Sequence, residues 1–179
     1  ADFCPEMLVR AGEKARAAGA AGRVTFVEAD AQSLPFASES FQLVTNAFGL
    51  RNITDTDRGL AEMVRVLRPG GRLAVLEFSK PRHWFFGRMY RAYFRYVLPL
   101  LGQLLSRSKE SAYRYLPESV LKFPDYEDLA AKFRAHGLTG VRYEPLTFGI
   151  ATLYVGVKPG DSVEAVEAGE RRGVSPPVG

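Results

Sequence analysis

The spacing of hydrophobic residues along the first 80 positions changes repeatedly between the helical and the extended period. One face of a predicted helix carries four apolar residues at the i, i+3, i+4, i+7 spacing, namely Leu60, Met63, Val64 and Leu67. The run at 41–48 is apolar enough to be a buried strand, as in a parallel sheet. The predicted elements are a helix at 5–18, a strand at 23–29, a loop at 30–40, a strand at 41–48, a helix at 57–67, a turn at 68–71 and a strand at 72–78.

The order strand, helix, strand predicts the fold class. Parallel strands joined by a helix make right-handed crossovers, so the pattern indicates an α/β protein. A further helix is predicted at 125–136, and the segments 141–145 and 148–157 suit two closing strands of a hairpin. Beyond residue 158 the chain is rich in Glu, Gly and Pro, which predicts one domain over 1–158 and a disordered tail over 159–179.

The segment 80–116 interrupts this alternation and differs in charge from the rest of the chain. Its only acidic residue is Glu110, and it holds the only Trp. Residues 83–106 are predicted to be helical, with a kink at Pro99. We expect this segment to be a helical cap inserted over one end of the sheet. Its basic residues are Lys80, Arg82, Arg88, Arg91, Arg95, Arg107, Lys109 and Arg114.

Composition excludes several classes of protein. A chain of 179 residues with 46% hydrophobic and 25% charged residues has a globular composition. The longest stretch without a charge, 145–157, is shorter than the roughly 20 residues that a membrane-spanning helix needs. Cys4 is the only cysteine and there are two histidines, so neither an internal disulfide nor a cysteine zinc cluster is possible. The sequence therefore predicts a cytosolic protein without a metal site.

Three groups of residues stand where an open α/β sheet places ligands, at the carboxyl ends of strands. Asp2 precedes the first helix and suits ribose hydroxyls, while the Asp30 carboxylate and the Ala31 N–H suit the amino group and a ring nitrogen of adenine. Asn46 and Ala47 end the buried strand. Together these positions indicate a nucleoside-containing ligand. The alternative is structural, with Asp2 as a helix cap and Asp30 as a turn residue.

Several strings of this chain resemble known enzymes. Residues 2–8 resemble the region just after the second strand of class I S-adenosylmethionine-dependent methyltransferases. Residues 30–36 resemble their adenine-contacting loop, and residues 66–71 resemble the turn before their fifth strand. More specific are Phe-Gly-Leu-Arg-Asn at 48–52 with its continuation to 55, Leu-Glu-Phe-Ser-Lys-Pro at 76–81, and Tyr-Arg-Tyr-Leu at the start of 113–119. These are similar to the UbiE/MenG-type ubiquinone/menaquinone biosynthesis C-methyltransferase family. The resemblance covers about residues 1–158 and implies a Rossmann-like class I methyltransferase sheet.

One feature of that family is not found in this sequence. Its members begin with a strand and a glycine-rich turn around the methionine part of the cofactor, but no G-x-G turn precedes Asp2. We therefore expect an N-terminally incomplete domain that lacks the first strand or strands of its sheet. Such a sheet exposes an apolar edge, which predicts poor stability of the chain alone unless a partner, such as a second copy, covers it.

The resemblance implies S-adenosylmethionine as cofactor and C-methylation of a demethylated prenyl quinol, either demethylmenaquinol or the ubiquinol precursor. It points to Arg51 and Asn52 as catalytic residues, with Arg51 stabilising a phenolate or orienting a water that takes the proton. The alternative is that Arg51 anchors its loop through a carboxylate such as Asp55. Asp55 and Asp57 are expected to cap the following helix. His83 is either a base or a surface residue.

A prenyl quinol resides in the bilayer, so the basic and aromatic segment has a candidate role. We expect Trp84, Arg88 and their neighbours to contact lipid, making the protein cytoplasmic and peripheral at the inner face of the membrane. The aromatic stripe is equally explained as the core contact of the cap. A nucleic-acid partner is not expected. Two rival functions stay open: a methyltransferase for another lipid-like molecule, and a truncated, non-catalytic remnant that binds prenyl lipid or a partner.

Overall fold

The computed structural model of this protein describes residues 1–82, 84, 87–88 and 119–160. His83, most of the predicted cap helix with Pro99, and the tail after residue 160 lie outside these residues. The helices and strands are α1 (Pro5–Ala17), β1 (Phe41–Ala47), α2 (Thr56–Val66), β2 (Leu67–Phe78), α3 (Glu127–Ala135), β3 (Thr139–Leu146) and β4 (Ala151–Val157). Short 3-10 turns lie at Ala21–Arg23, Leu50–Asn52 and Thr147–Gly149.

The four strands form one mixed sheet in the order β1-β2-β4-β3. Strands β1 and β2 are parallel and are joined through α2, which confirms the predicted crossover. Strand β4 pairs antiparallel with both β2 and β3, and the pair Leu146↔Ala151 closes the predicted hairpin. The predicted α/β class is therefore correct.

Helices α2 and α3 contribute most of the helical side chains in the core. Asp55 starts α2 by accepting a hydrogen bond from the Arg58 N–H at 3.0 Å, which confirms its predicted capping role. Asp57 lies in the first turn of the same helix. The buried cluster consists of Leu50, Leu60, Met63, Leu67, Leu73, Val75, Leu129, Phe133, Leu138 and Tyr154.

The predicted strand at 23–29 is wrong, because this segment joins no strand of the sheet. Only Glu28 makes an isolated parallel bridge, to Asp2. Two backbone hydrogen bonds support it, from the Asp2 N–H to the Val27 carbonyl at 3.1 Å and from the Ala29 N–H to the Asp2 carbonyl at 3.0 Å. The segment is β-branched, but within the described residues it meets only this short extended partner, so a longer ladder does not form.

Two further boundaries differ from prediction. The turn at 68–71 is part of β2, where Gly70 has φ +76° and its N–H donates to the Lys158 carbonyl. Helix α3 begins at Glu127, two residues later than expected. The Asp125 Oδ2 instead accepts a hydrogen bond from the Lys80 N–H at 2.9 Å, and Tyr126 has φ +51°. The chain therefore turns at 125–126 before the helix can start.

The edge of β1 is open in the described part of the chain. Strand β1 pairs with β2 alone there, and Leu43 in the middle of the strand is 55% exposed. Helix α1, as predicted, covers nearly all of 5–18, but none of its residues is buried. These observations agree with the expected exposed apolar edge. No helix among the described residues is long and apolar enough to cross a bilayer.

Candidate functional site

A tight turn follows the carboxyl end of β1 and carries four of the predicted site residues. Phe48 has φ +55°, and the 3-10 turn Leu50–Asn52 follows directly. The Asn46 Oδ1 accepts a hydrogen bond from the Gly49 N–H at 3.2 Å. A side chain at position 49 would meet the Asn46 amide at 3.0 Å, so a glycine suits this close approach. Asn46, Ala47, Arg51 and Asn52 are thus held in one compact turn.

Arg51 is paired with a buried carboxylate that the sequence did not suggest. Its Nη1 lies 2.6 Å from Oε1 of Glu77, and the two side chains are only 8% and 1% exposed. The same Nη1 also donates to the Phe48 carbonyl at 2.7 Å. The predicted alternative, that a carboxylate anchors the Arg51 loop, is therefore confirmed, but the partner is Glu77, since Asp55 caps α2 instead. A glutamate inside an apolar strand was the sequence signal for such a partner, since buried carboxylates need a cation or donors.

Aromatic rings surround this ion pair. Phe48 and Phe78 stack with ring centroids 4.5 Å apart, and the Arg51 guanidinium carbon lies 4.9 Å from the Phe78 centroid. The Arg51 Nε is buried and has no hydrogen-bond partner in the described part of the chain. An unsatisfied buried N–H is unfavourable, so it is a donor ready for a ligand atom.

A cavity of about 600 Å³ lies beside Arg51. Both signs of charge occur on its wall, and Asp57 and Lys132 face each other with Nζ 2.8 Å from the carboxylate. The hydrogen bond from Lys132 holds the pKa of Asp57 below its usual value. The lining residues are Arg51, Thr54, Asp55, Thr56, Asp57, Ser119, Lys122, Phe123, Pro124 and Lys132.

Asp30 forms a turn of its own and stays exposed. Its Oδ1 accepts from the Gln32 N–H at 2.8 Å, and the Gln32 side-chain amide donates to both carboxylate oxygens at 3.2 Å. These hydrogen bonds lower the pKa of Asp30, so the carboxylate is ionised at neutral pH. The predicted turn role is confirmed, and it leaves lone pairs for a ligand. The Ala31 N–H donates to no acceptor within the described residues.

The loop that carries Asp30 and Ala31 is tied to α2. Gln32 accepts from the Asp55 N–H at 3.0 Å through its side chain and from the Arg58 Nε at 2.9 Å through its carbonyl. Glu62 accepts from the Leu34 N–H at 2.8 Å. The loop is therefore held against the helix that starts directly after the Arg51 turn.

Asp2 lies beside the segment that leads into Asp30, through its bridge to Glu28. Its Oδ1 accepts from the Cys4 N–H at 2.9 Å, whereas α1 has no side-chain cap. Asp2 is thus not the helix cap that was one of its two predicted roles. The structure places Asp2 next to the strand-like segment before Asp30. The second group spans the last two residues of β1, Asn46 and Ala47, and the turn that follows, up to Asn52. Gln32 and Asp55 connect the two groups.

The described residues contain no group of three His, Cys, Asp or Glu side chains placed to hold a metal ion. Position 83, the predicted alternative base, lies outside them. The polar groups of the site that the structure describes are carboxylates, amides, hydroxyls, backbone N–H groups, two lysines of the cavity wall and the Arg51 guanidinium.

The sequence profile of the ubiE/COQ5 methyltransferase family matches residues 1–158. The chain belongs to this family. It is 54% identical over 159 residues to a protein of Thermus thermophilus named demethylmenaquinone methyltransferase, covering 89% of this chain and 70% of that protein. A Deinococcus radiodurans protein of the same name is 52% identical over 157 residues, covering 88% of this chain and 64% of that one.

Another relative, from Geotalea daltonii, is named ubiquinone/menaquinone biosynthesis C-methyltransferase UbiE. It is 45% identical over 157 residues, which cover 88% of this chain and 66% of that protein. The chain therefore spans about two thirds of the length of these curated relatives.

Solved structures show the same fold at low sequence identity. A methyltransferase of Thermotoga maritima, described as S-adenosylmethionine-dependent and as a possible histamine N-methyltransferase, superposes with a TM-score of 0.55 at 23% identity, covering 80% of this chain and 69% of that one. A phosphoethanolamine N-methyltransferase of Haemonchus contortus gives a TM-score of 0.62 at 18% identity, covering 88% of this chain and 43% of that one. The expected Rossmann-like class I methyltransferase fold is confirmed.

Proposed function

We propose that this chain is the S-adenosylmethionine-dependent part of a C-methyltransferase that acts on a demethylated prenyl quinol. The observation that carries the proposal is the buried Arg51 guanidinium in the turn after β1, whose Nε has no hydrogen-bond partner among the residues that the structure describes. Family membership and relatives named demethylmenaquinone methyltransferase support the same reaction. The proposed acceptor is demethylmenaquinol or the ubiquinol precursor, since relatives with names for both pathways match this chain.

The residues present fit the adenosine part of the cofactor. Asp2 and Asp30 supply carboxylates for ribose hydroxyls and the adenine amino group. The Ala31 N–H, which donates to no acceptor in the described part of the chain, suits a ring nitrogen. Asn46 and Ala47 at the end of β1 complete the proposed set. When bound, S-adenosylmethionine supplies a sulfonium methyl group to a nucleophilic carbon.

The role of the protein in the reaction is to make that carbon nucleophilic and to exclude water. A quinol that loses a hydroxyl proton becomes a phenolate, whose charge spreads onto the ring carbon. The Arg51 Nε–H stabilises the phenolate oxygen as a charge-assisted donor. After the new C–C bond forms, the ring C–H proton leaves to water and the aromatic ring is restored. Asn52 holds the Phe48 carbonyl through its amide at 3.4 Å and thereby supports the same turn.

Titration calorimetry of S-adenosylmethionine into the folded 179-residue chain tests the cofactor half of this proposal. We expect micromolar binding that weakens at least about tenfold, or 1.4 kcal/mol, in Asp30→Ala and in Asp2→Ala. Glu127→Ala is the matched control, because its carboxylate is exposed and its ion-pair partner among the described residues is Arg134 on the same helix. If the folded chain binds no cofactor, this half of the proposal is contradicted. The rival function, a non-catalytic protein that binds prenyl lipid or a partner, would then describe the chain better.

We infer further that residues 80–116 bring the site to a membrane surface and that the protein acts as a peripheral protein at the cytoplasmic face. The segment holds eight basic residues and one acidic residue, Glu110, which supports this inference. Trp84, which is 73% exposed, also supports it. At the membrane surface, the site would be close enough to bind a prenylated acceptor from the bilayer.

Co-sedimentation with vesicles tests the membrane contact. Each basic residue near an anionic surface contributes about 1 kcal/mol. The triple variant Arg88→Ser/Arg91→Ser/Arg95→Ser should therefore reduce binding to phosphatidylglycerol vesicles on the order of 100-fold. Equal binding by the variant and the unchanged protein would contradict the proposal. Binding to purely zwitterionic vesicles should be weak for both.

A further inference from the structure

We propose that Glu77 is a positioning residue for Arg51, fixing the direction in which the Arg51 Nε–H meets the acceptor. The inference rests on the proposed function, because it assigns a task to a residue of the same site. Glu77 lies on β2 and Arg51 lies in the turn after β1, so the pair joins the carboxyl ends of two neighbouring parallel strands.

Glu77 holds both the main chain and the side chain of Arg51. Its Oε2 accepts from the Arg51 backbone N–H at 3.2 Å, while its Oε1 accepts from the Arg51 Nη1 at 2.6 Å. The Oε1 also accepts from the Phe78 N–H at 2.9 Å. The carboxylate is therefore fixed by its own strand and in turn fixes the turn opposite. Three donors converge on a side chain that is 1% exposed.

This arrangement commits one end of the guanidinium and leaves the other free. The Nη1 is used by Glu77 and by the Phe48 carbonyl, whereas the Nε lies buried without an acceptor among the described residues. The Phe78 ring, 4.9 Å from the guanidinium carbon, limits rotation about the remaining bonds. The free Nε–H is thus oriented by Glu77 before any ligand arrives, and such preorganised donors stabilise developing charge most effectively.

The charge of Glu77 matters as well as its shape. A guanidinium buried without its counter-charge is strongly unfavourable, so a neutral residue at 77 would release Arg51 toward the solvent. Displacing a group that stabilises the reacting centre by about 1 Å costs on the order of 100-fold in rate. Cofactor affinity should change little, because Asp2, Asp30 and Ala31 make no hydrogen bond to this pair within the described part of the chain. Asn46 and Ala47 are held by their pairing with β2 and by the Gly49 N–H rather than by Glu77.

Kinetic measurements on three variants separate positioning from folding. In Glu77→Gln, kcat for methyl transfer to a reduced demethylated naphthoquinol should fall on the order of 100-fold. The dissociation constant for S-adenosylmethionine should stay within about twofold. Glu77→Asp retains the negative charge on a shorter side chain, so its kcat should lie between those of the unchanged chain and Glu77→Gln. Glu127→Gln removes a carboxylate that makes an equally short 2.6 Å pair with Arg134 on the surface, and it should change neither quantity.

A second readout does not depend on turnover. The Arg51 Nε–H gives a proton–nitrogen NMR signal that is assigned by its loss in Arg51→Lys. We expect a sharp, slowly exchanging signal in the unchanged chain, because the atom is buried. In Glu77→Gln it should shift and exchange rapidly with water, whereas Glu127→Gln should leave it unchanged.

The outcomes distinguish this inference from the proposed function. An active protein in which Glu77→Gln retains full kcat overturns the positioning role and leaves the reaction assignment standing. If the chain transfers no methyl group to quinols, the proposed function is contradicted. The NMR measurement then tests the positioning role of Glu77 without the kinetic data. An unchanged Arg51 signal in Glu77→Gln overturns the positioning role there too.

Discussion

Arg51 shows at the scale of single residues what a sequence pattern can and cannot determine. The Phe-Gly-Leu-Arg-Asn string identified the residue, and the resemblance suggested its task. Its partner, however, is 26 positions away on another strand, and the nearby Asp55 was the partner expected from sequence proximity. Sheet register sets which side chains face each other across two strands, and register cannot be read from one strand alone.

The buried pair predicts a characteristic stability pattern. Arg51→Leu leaves the Glu77 carboxylate buried without its cation and should lower the free energy of unfolding by about 3–5 kcal/mol. The double variant Arg51→Leu/Glu77→Leu removes both charges and should recover most of that loss. Urea denaturation followed by circular dichroism measures both values.

Two results would contradict this account of the Arg51–Glu77 pair. If Arg51→Leu were as stable as the unchanged chain, the Glu77 carboxylate would not depend on Arg51 for its stability in the fold. A double variant that is less stable than the single one would show that the pair itself, and not its desolvation, dominates.

At the scale of elements, hydrophobic periodicity located both long helices and the strands of the sheet within a few residues. It failed where contacts between residues distant in sequence determine whether a strand forms or where a helix begins. Residues 23–29 have strand composition but lack a strand partner within the described residues, and Asp125 is taken by Lys80 before it can start α3. The tether between the 30–36 loop and α2 was also not predicted, because it depends on side chains about 30 positions apart.

Glu62 makes this tether dependent on pH. Hydrogen bonds from Arg65 and from the Leu34 N–H hold the pKa of Glu62 below its usual 4.5. Since the folded state lowers this pKa, the ionised Glu62 adds stability above pH 4.5, and that contribution is lost as the pH falls through the folded value. The stability difference between the unchanged chain and Glu62→Gln should therefore be constant near neutral pH and shrink below pH 4.5.

Urea titrations of both proteins across this pH range measure that difference. Glu127→Gln serves as the control, because its exposed partner Arg134 ties no loop to the core. A difference that is independent of pH would show that the Glu62 carboxylate does not hold the loop in solution.

For the whole molecule, packing is unequal between the two ends of the chain. The sheet with α2 and α3 contains the buried cluster, whereas α1 has no buried residue and β1 has an open edge in the described part of the chain. Exposed apolar side chains concentrate in the same region, namely Phe3, Met7, Val9, Val24, Phe26 and Leu43. This inequality agrees with the open apolar edge expected from the sequence.

Hydrogen exchange should report this inequality directly. Amides of α1 should exchange at least about 100-fold faster than those of β2 and β4, because α1 can open without disrupting the buried cluster. Mass spectrometry of peptides from the two regions measures the rates. Equal protection would contradict this and would mean that a second copy or another partner covers the open edge.

The most direct test of the proposed function is the position of the transferred methyl group. The chain is incubated with methyl-labelled S-adenosylmethionine and a reduced demethylated naphthoquinol on anionic vesicles, and the product is analysed by NMR. We predict label on the ring carbon beside a hydroxyl, with transfer strongly reduced in Arg51→Lys. Label on oxygen, or no transfer by a chain that binds the cofactor, would contradict C-methylation at this site.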